Sequence, residues 1–236
     1  ANTGFASGGA MAKTTDGGLT WNQVYSAAND YFYVMHVSAN GQGYAAGNSG
    51  AFIKTSNYGQ TWQSQPDLGY GDIFCGDHAS DNAAFMMGKL NIHKSSNGGS
   101  SWTVIKNAIQ GGGITAMQFF SDTQGTAVSV PSGGTFYGGI AQTNDGGKLW
   151  NIRQTATSGG WYAVDFPTSQ VGYVLGTTNL GKTTNGGQTW TFSTTPTLTA
   201  TCLEFIDAQT GFAGGFGGAS NICKTFIVNS SFINVF

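Results

Sequence analysis

The 236-residue chain contains one glutamate, Glu204, and its best partner for acid–base work is Asp165. Two carboxylates facing each other across a cleft are what hydrolysis of a glycosidic bond requires. They hold the same place in two short alternating stretches, WYAVDF (161–166) and TCLEFI (201–206), and His36 and Gln118 recur there in VMHV and AMQF, with Asp77 or Cys75 in a less regular copy. Four different side chains at one repeated position suit a polar lining, or hydrogen bonds to neighbouring backbone, better than a catalytic constellation. His36, Gln118, Asp165 and Glu204 are therefore expected to line a binding surface, and no residue is assigned a catalytic role. The stretch GDIFCGDHASDN (71–82) gathers Asp72, Asp77, His78 and Asp81, but without the fixed spacing of a calcium loop or a zinc site. Neither a metal nor another cofactor is expected. Nucleophile elbows, phosphate-binding loops and dinucleotide fingerprints are absent from the sequence.

Aromatic residues offer a binding lead. Trp161 and Tyr162 open one of the alternating stretches, and Tyr31 and Tyr33 open another. Such rings stack on sugars or take a partner's apolar side chains, although packing between blades is the favoured expectation for them. An insertion, PSGGTFYG (131–138), carries Phe136 and Tyr137. Insertions of this kind sit on surface loops, where binding residues concentrate.

The elements that position these residues come from a repeat. TTDGGLTW (14–21), TSNYGQTW (55–62), SSNGGSSW (95–102), TNDGGKLW (143–150) and TTNGGQTW (183–190) share one layout, and their tryptophans stand 41, 40, 48 and 40 residues apart. That is the period of a four-stranded blade. An eroded sixth copy, CKTFIVNSSFIN, places Lys224 on Lys182 and Phe232 on Trp190 in a gapless alignment. At the turn, Asp16, Asn57, Asn97, Asp145 and Asn185 are placed to accept backbone N–H groups. The rings of Trp21, Trp62, Trp102, Trp150 and Trp190 are placed to bury apolar area. These residues are expected to be scaffold.

Each unit reads as four short strands with Gly-rich turns. The expected blades are approximately 1–28, 29–68, 69–110, 111–157, 158–198 and 199–236, together one domain over 1–236. The chain starts at the turn after a first strand, so the first blade is expected to lack its innermost strand. Phe232–Phe236 matches that missing strand in pattern, but strand direction favours it as the last strand of the sixth blade.

Only 8% of residues are charged and the formal net charge is −2, with a single arginine, Arg153. An average soluble domain is about 25% charged. Nucleic-acid binding, which needs clustered Lys and Arg, is excluded on that ground. Five of the lysines (13, 54, 94, 182, 224) fall at one repeat position. No run of 18 apolar residues exists to span a membrane as a helix. A start at Ala1, one candidate disulfide (Cys202 with Cys223, both in the last repeat) and one N-x-S/T sequon at Asn229 lead to the expectation of a secreted or extracytoplasmic protein.

The motif S/T-x-D/N-x-G-x-T-W resembles the Asp-box, or bacterial neuraminidase repeat, and the unit GYAAGNSGAFIKTSNYGQTW (43–62) is similar to the propeller repeats of photosystem II assembly and stability factors. The resemblance implies an all-β, six-bladed β-propeller of about 40 residues per blade. It also brings to mind sialidases, whose three substrate-gripping arginines this chain cannot supply, and xyloglucanase-like hydrolases, for which Asp165 and Glu204 would be the acid and base. The assembly factors imply a protein-binding scaffold. The expected function is thus a non-catalytic extracellular binding or assembly propeller with a protein or glycan partner. The alternatives are a structural subunit of a sheath or filament, assembled as a homo-oligomer through the open edge of the first blade, and a glycoside hydrolase.

Overall fold

The computed structural model describes the chain apart from residues 1, 67, 68, 70, 89, 90, 106–112, 131–137, 156–159, 177, 178, 195–199, 216–223, 230, 231 and 236. The fold is all-β, in two compact units, Ala1–Asn107 and Ala108–Phe236.

The first unit holds three antiparallel sheets. The first is β1 (Gly4–Ser7), β2 (Ala10–Thr14) and β3 (Asn22–Ser26). The second is β4 (Phe32–Val37), β5 (Gly43–Gly47), β6 (Phe52–Thr55) and β7 (Gln63–Ser64). The third is β8 (Cys75–His78), β9 (Ala84–Met87), β10 (Ile92–Ser95) and β11 (Thr103–Ile105).

The second unit holds three more, each four-stranded and each in chain order. They are β12 (Ile114–Phe119), β13 (Gly125–Ser129), β14 (Gly139–Thr143) and β15 (Asn151–Thr155); β16 (Trp161–Asp165), β17 (Gly172–Gly176), β18 (Asn179–Thr183) and β19 (Thr191–Thr194); and β20 (Ala200–Phe205), β21 (Thr210–Gly215), β22 (Lys224–Asn229) and β23 (Phe232–Val235).

The first sheet has three strands, and β23 pairs antiparallel with β22. Strand direction thus outweighs the pattern match at 232–235. The eroded repeat differs from its gapless alignment in register: Phe212 faces Thr225, and Lys224 faces Ala213. In the third and fifth sheets the aromatic residue of the second strand faces the repeated lysine, as in Phe85↔Lys94 and Tyr173↔Lys182.

In the second to fifth sheets the second strand is the buried centre: GYAAG, AFMM, GTAVS and GYVLG are buried along their full length. Such a strand is buried on both faces, so alternation gives way to continuous small and apolar residues. First strands carry a bulge where Tyr33, Thr115, Tyr162 and Thr201 are the unpaired residues. A bulge re-aims a side chain. Tyr33 is accordingly 54% exposed between the buried Phe32 and Val34.

Candidate functional site

The five boxes share one hydrogen-bond design. The buried hydroxyl of the first residue (Thr14, Thr55, Ser95, Thr143, Thr183) donates to the Asp or Asn two residues on, at 2.7–3.0 Å, and accepts a glycine N–H four residues on, at 2.9–3.1 Å. The Asx oxygen accepts the N–H of the residue four further along, as in Thr20, Thr61, Ser101, Leu149 and Thr189. Four tryptophans then donate Nε1–H to the carbonyl of that second glycine, from Trp21, Trp102, Trp150 and Trp190 at 3.0–3.1 Å. Trp62 differs: it is buried and packs edge-on against Phe5, with ring centroids 6.5 Å apart. The Thr20 hydroxyl and N–H, with the Thr14 hydroxyl, hold the Asp16 carboxyl down at about 2. These polar groups are spent on the turn.

The expected polar lining is spent in a comparable way. In the second unit β12, β16 and β20 are successive neighbours. Gln118 Oε1 accepts the N–H of Phe166 at 2.7 Å, and Asp165 Oδ2 accepts the N–H of Phe205 at 2.5 Å. The repeated position ties one sheet's side chain to the next sheet's backbone. Glu204 is exposed. In the first unit His36 stacks on His78, with centroids 3.6 Å apart, and its Nε2 lies 3.9 Å from Asp81. Burial first, and the neighbouring His78 second, depress the His36 pKa to about 4 against a smaller opposing pull from Asp81. Asp72 accepts the Ser49 N–H at 2.6 Å. Among the described residues no three His, Cys, Asp or Glu side chains converge on a metal position.

Of the aromatic candidates, Trp161 is 5% exposed and stacks on Phe192 at 5.2 Å among Val128, Ile140 and Val174. Its ring is core between two sheets rather than a ligand platform. Tyr162 is half-buried, while Tyr31 and Tyr33 are exposed. Phe136, Tyr137 and most of the 131–138 insertion lie outside the described residues, as does Cys223. Cys202 is a free thiol that donates to the Gly214 carbonyl at 3.2 Å rather than half of a bridge. Asn229 ends β22, and the other two sequon residues lie outside the described set.

The repeated lysine has a role that its position in the sequence did not disclose. Lys13 lies over the Phe5 ring and Lys54 over the Phe52 ring. Their ammonium groups donate to the next box turn, at Tyr58 O (2.6 Å) and Ser100 O (3.1 Å). The aromatic paired with each lysine presses on the following sheet's box glycine: Phe5 on Gly59 and Tyr44 on Gly99. In the fourth sheet both members change. Thr126 replaces the aromatic and Gln142 replaces the lysine. Gln142 keeps the tie, donating Nε2–H to Gly186 O at 2.5 Å and to Thr126 Oγ1 at 3.3 Å, while its Oε1 accepts Arg153 Nε–H at 3.0 Å.

A cleft of about 460 Å³ opens beside Gln142, between the fourth and fifth sheets. Phe120, Gln124, Gln142, Asn151, Arg153 and Gln170 are among its walls, and the box turn of the fifth sheet closes it with Asn185, Gly186 and Gln188. Its size is that of a small-molecule site. The signal was present in the sequence: the fourth copy alone among the five boxes lacks the lysine, and it alone carries the arginine.

Asp-box turns repeated on antiparallel four-stranded sheets define an all-β propeller of the bacterial neuraminidase repeat type. The chain belongs to the family described as Photosynthesis system II assembly factor YCF48, whose model matches residues 1–158. It is similar to the solved structure of YCF48 bound to D1 peptide, with a TM-score of 0.74 at 19% identity over 97% of this chain and 76% of that one. YCF48 from Cyanidioschyzon merolae matches with a TM-score of 0.56 at 16% identity, covering 90% of this chain and 88% of that one. The GH74 xyloglucanase from Xanthomonas campestris reaches a TM-score of 0.72 at 13% identity, over 96% of this chain but 43% of the enzyme. This chain therefore spans less than half of that hydrolase. No curated protein matches the chain.

Proposed function

We propose that the chain is a non-catalytic propeller that holds a protein partner in an assembly outside the cytoplasm. Family membership supports a protein partner, as does a relative that was solved bound to a peptide. The observation that carries the reading on this molecule is the exposed aromatic set of the first unit: Tyr31 and Tyr33 at the head of β4, 53% and 54% exposed, and Phe74 just before β8, 49% exposed. Exposed tyrosines on a rigid scaffold are the residues that anchor protein interfaces. The engagement of Asp165 by the Phe205 N–H supports the non-catalytic part of the proposal.

Capture from the source organism with the native protein should retain a defined partner that the Tyr31→Ala/Tyr33→Ala variant loses while keeping its melting temperature. Retention unchanged by that substitution would remove the basis for this docking surface. A second reading, a glycan-binding propeller, is favoured by the amide-rich cleft beside Arg153.

A further inference from the structure

We propose that the cleft between the fourth and fifth sheets is a subsite for a carboxylated sugar residue of the uronate class. The inference deepens the glycan reading and does not depend on the protein-partner one. Arg153 is the starting point. It stands on β15 where the other boxes place Val24, Gln65, Ile105 and Ser193, so the repeat does not require a cation there. Its Nε is held by Gln142, which fixes the guanidinium plane, while its terminal amino groups make no hydrogen bond among the described residues. Among the described residues no carboxylate lines the cleft to neutralise it. A fixed, unneutralised guanidinium fork at the wall of a cavity matches the two oxygens of a carboxylate.

The remaining walls choose the rest of the ligand. The side-chain amides of Gln124, Asn144, Asn151, Gln170 and Gln188 all line the cleft, and none makes a hydrogen bond among the described residues. A carboxamide offers donors and acceptors together, as a sugar hydroxyl does. Phe120 adds an apolar face, itself braced edge-on by Phe166 at 4.8 Å. A peptide would find few of the apolar anchors that dominate peptide affinity. A phosphate monoester carries about 1.5 to 2 negative charges, more than one guanidinium neutralises. One carboxylate ringed by hydroxyl groups is the chemistry that satisfies fork, amides and ring at once.

The experiment is a titration of the intact protein, followed by ligand-observed NMR and calorimetry, with digalacturonic acid. Galactobiose serves as the neutral control and triglutamate as the acidic peptide control. Digalacturonate is expected to bind, galactobiose at least about tenfold more weakly, and triglutamate not at all; tenfold corresponds to about 1.4 kcal/mol. Arg153→Ala should cost digalacturonate about tenfold or more with an unchanged melting temperature. If that variant fails to fold, the pair Thr126→Tyr/Gln142→Lys tests the same site by restoring the ring and lysine of the other sheets, and it should abolish binding. Tyr31→Ala/Tyr33→Ala should leave sugar binding intact, which separates this inference from the protein-partner proposal. The proposal is overturned if digalacturonate does not bind, if Arg153→Ala or the refilled variant binds as the native protein does, or if triglutamate binds in its place.

Discussion

At the scale of single residues, the hydroxyl that opens each box does more than the acidic or amide residue for which the motif is named. Thr183 is 1% exposed, and its Oγ1 serves the Asn185 side chain and the Gly187 N–H together. Thr183→Val keeps the shape and leaves the glycine N–H buried without a partner, a loss on the order of 1–3 kcal/mol. Thr184→Val, one position away on the exposed side, should stay within about 0.5 kcal/mol. Urea melts of the two variants measure the difference; equal midpoints would show that the hydroxyl is not the keystone of the turn. Asp165 admits a test of a different kind. Asp165→Asn retains an oxygen to accept the Phe205 N–H and should melt close to the native protein, whereas Asp165→Ala should lose roughly 1–3 kcal/mol. A penalty as large for asparagine as for alanine would mean that the charge, rather than the acceptor, matters there.

At the scale of elements, the repeat made most of the architecture legible. Tryptophan spacing located the turns, the polar residue of the first strand marked strands such as β12, β16 and β20, and strand direction placed β23 beside β22. What escaped the sequence depends on which side chain meets which across two sheets. The lysine column was visible, but its purpose, a tie to the next box, needs the neighbouring turn at 2.6–3.1 Å. Trp161 read as packing between blades or as a ligand platform, because an aromatic residue at a strand end looks the same in sequence whether a second sheet covers it or not. The cleft brings Gln142 and Arg153 together with residues of the next sheet's turns, a meeting that one copy of the repeat read alone does not disclose. The packing between sheets is testable on its own: the ring of Tyr44 presses on Gly99, so Tyr44→Thr should leave a void between the second and third sheets. Loss of a fully buried aromatic costs about 3–5 kcal/mol. A thermal shift indistinguishable from zero would show that the ring is not what fills this space.

At the scale of the whole molecule, the scarcity of charge sets how the protein responds to its medium. Only 8% of residues are charged, so added salt has little to screen. Acid acts through other groups. Burial depresses both His36 and His93 to about 4, below the 6.5 of an unstrained imidazole. Between those values the unfolded chain takes up protons that the native state refuses, so stability rises with pH across that window. The contribution is fully present above about pH 6.5 and is lost as pH falls toward 4. The lowered Asp16 acts in a separate range: its contribution is present above 3.8 and fades only as pH approaches 2. Melting temperatures should therefore hold steady from low to high sodium chloride at pH 7.5 and drop between pH 6.5 and 4. His36→Phe should flatten part of that drop, because a ring that never charges keeps the stack on His78 without the proton. A pH profile flat across the window, or one unchanged by His36→Phe, would show that neither imidazole is held neutral by the fold.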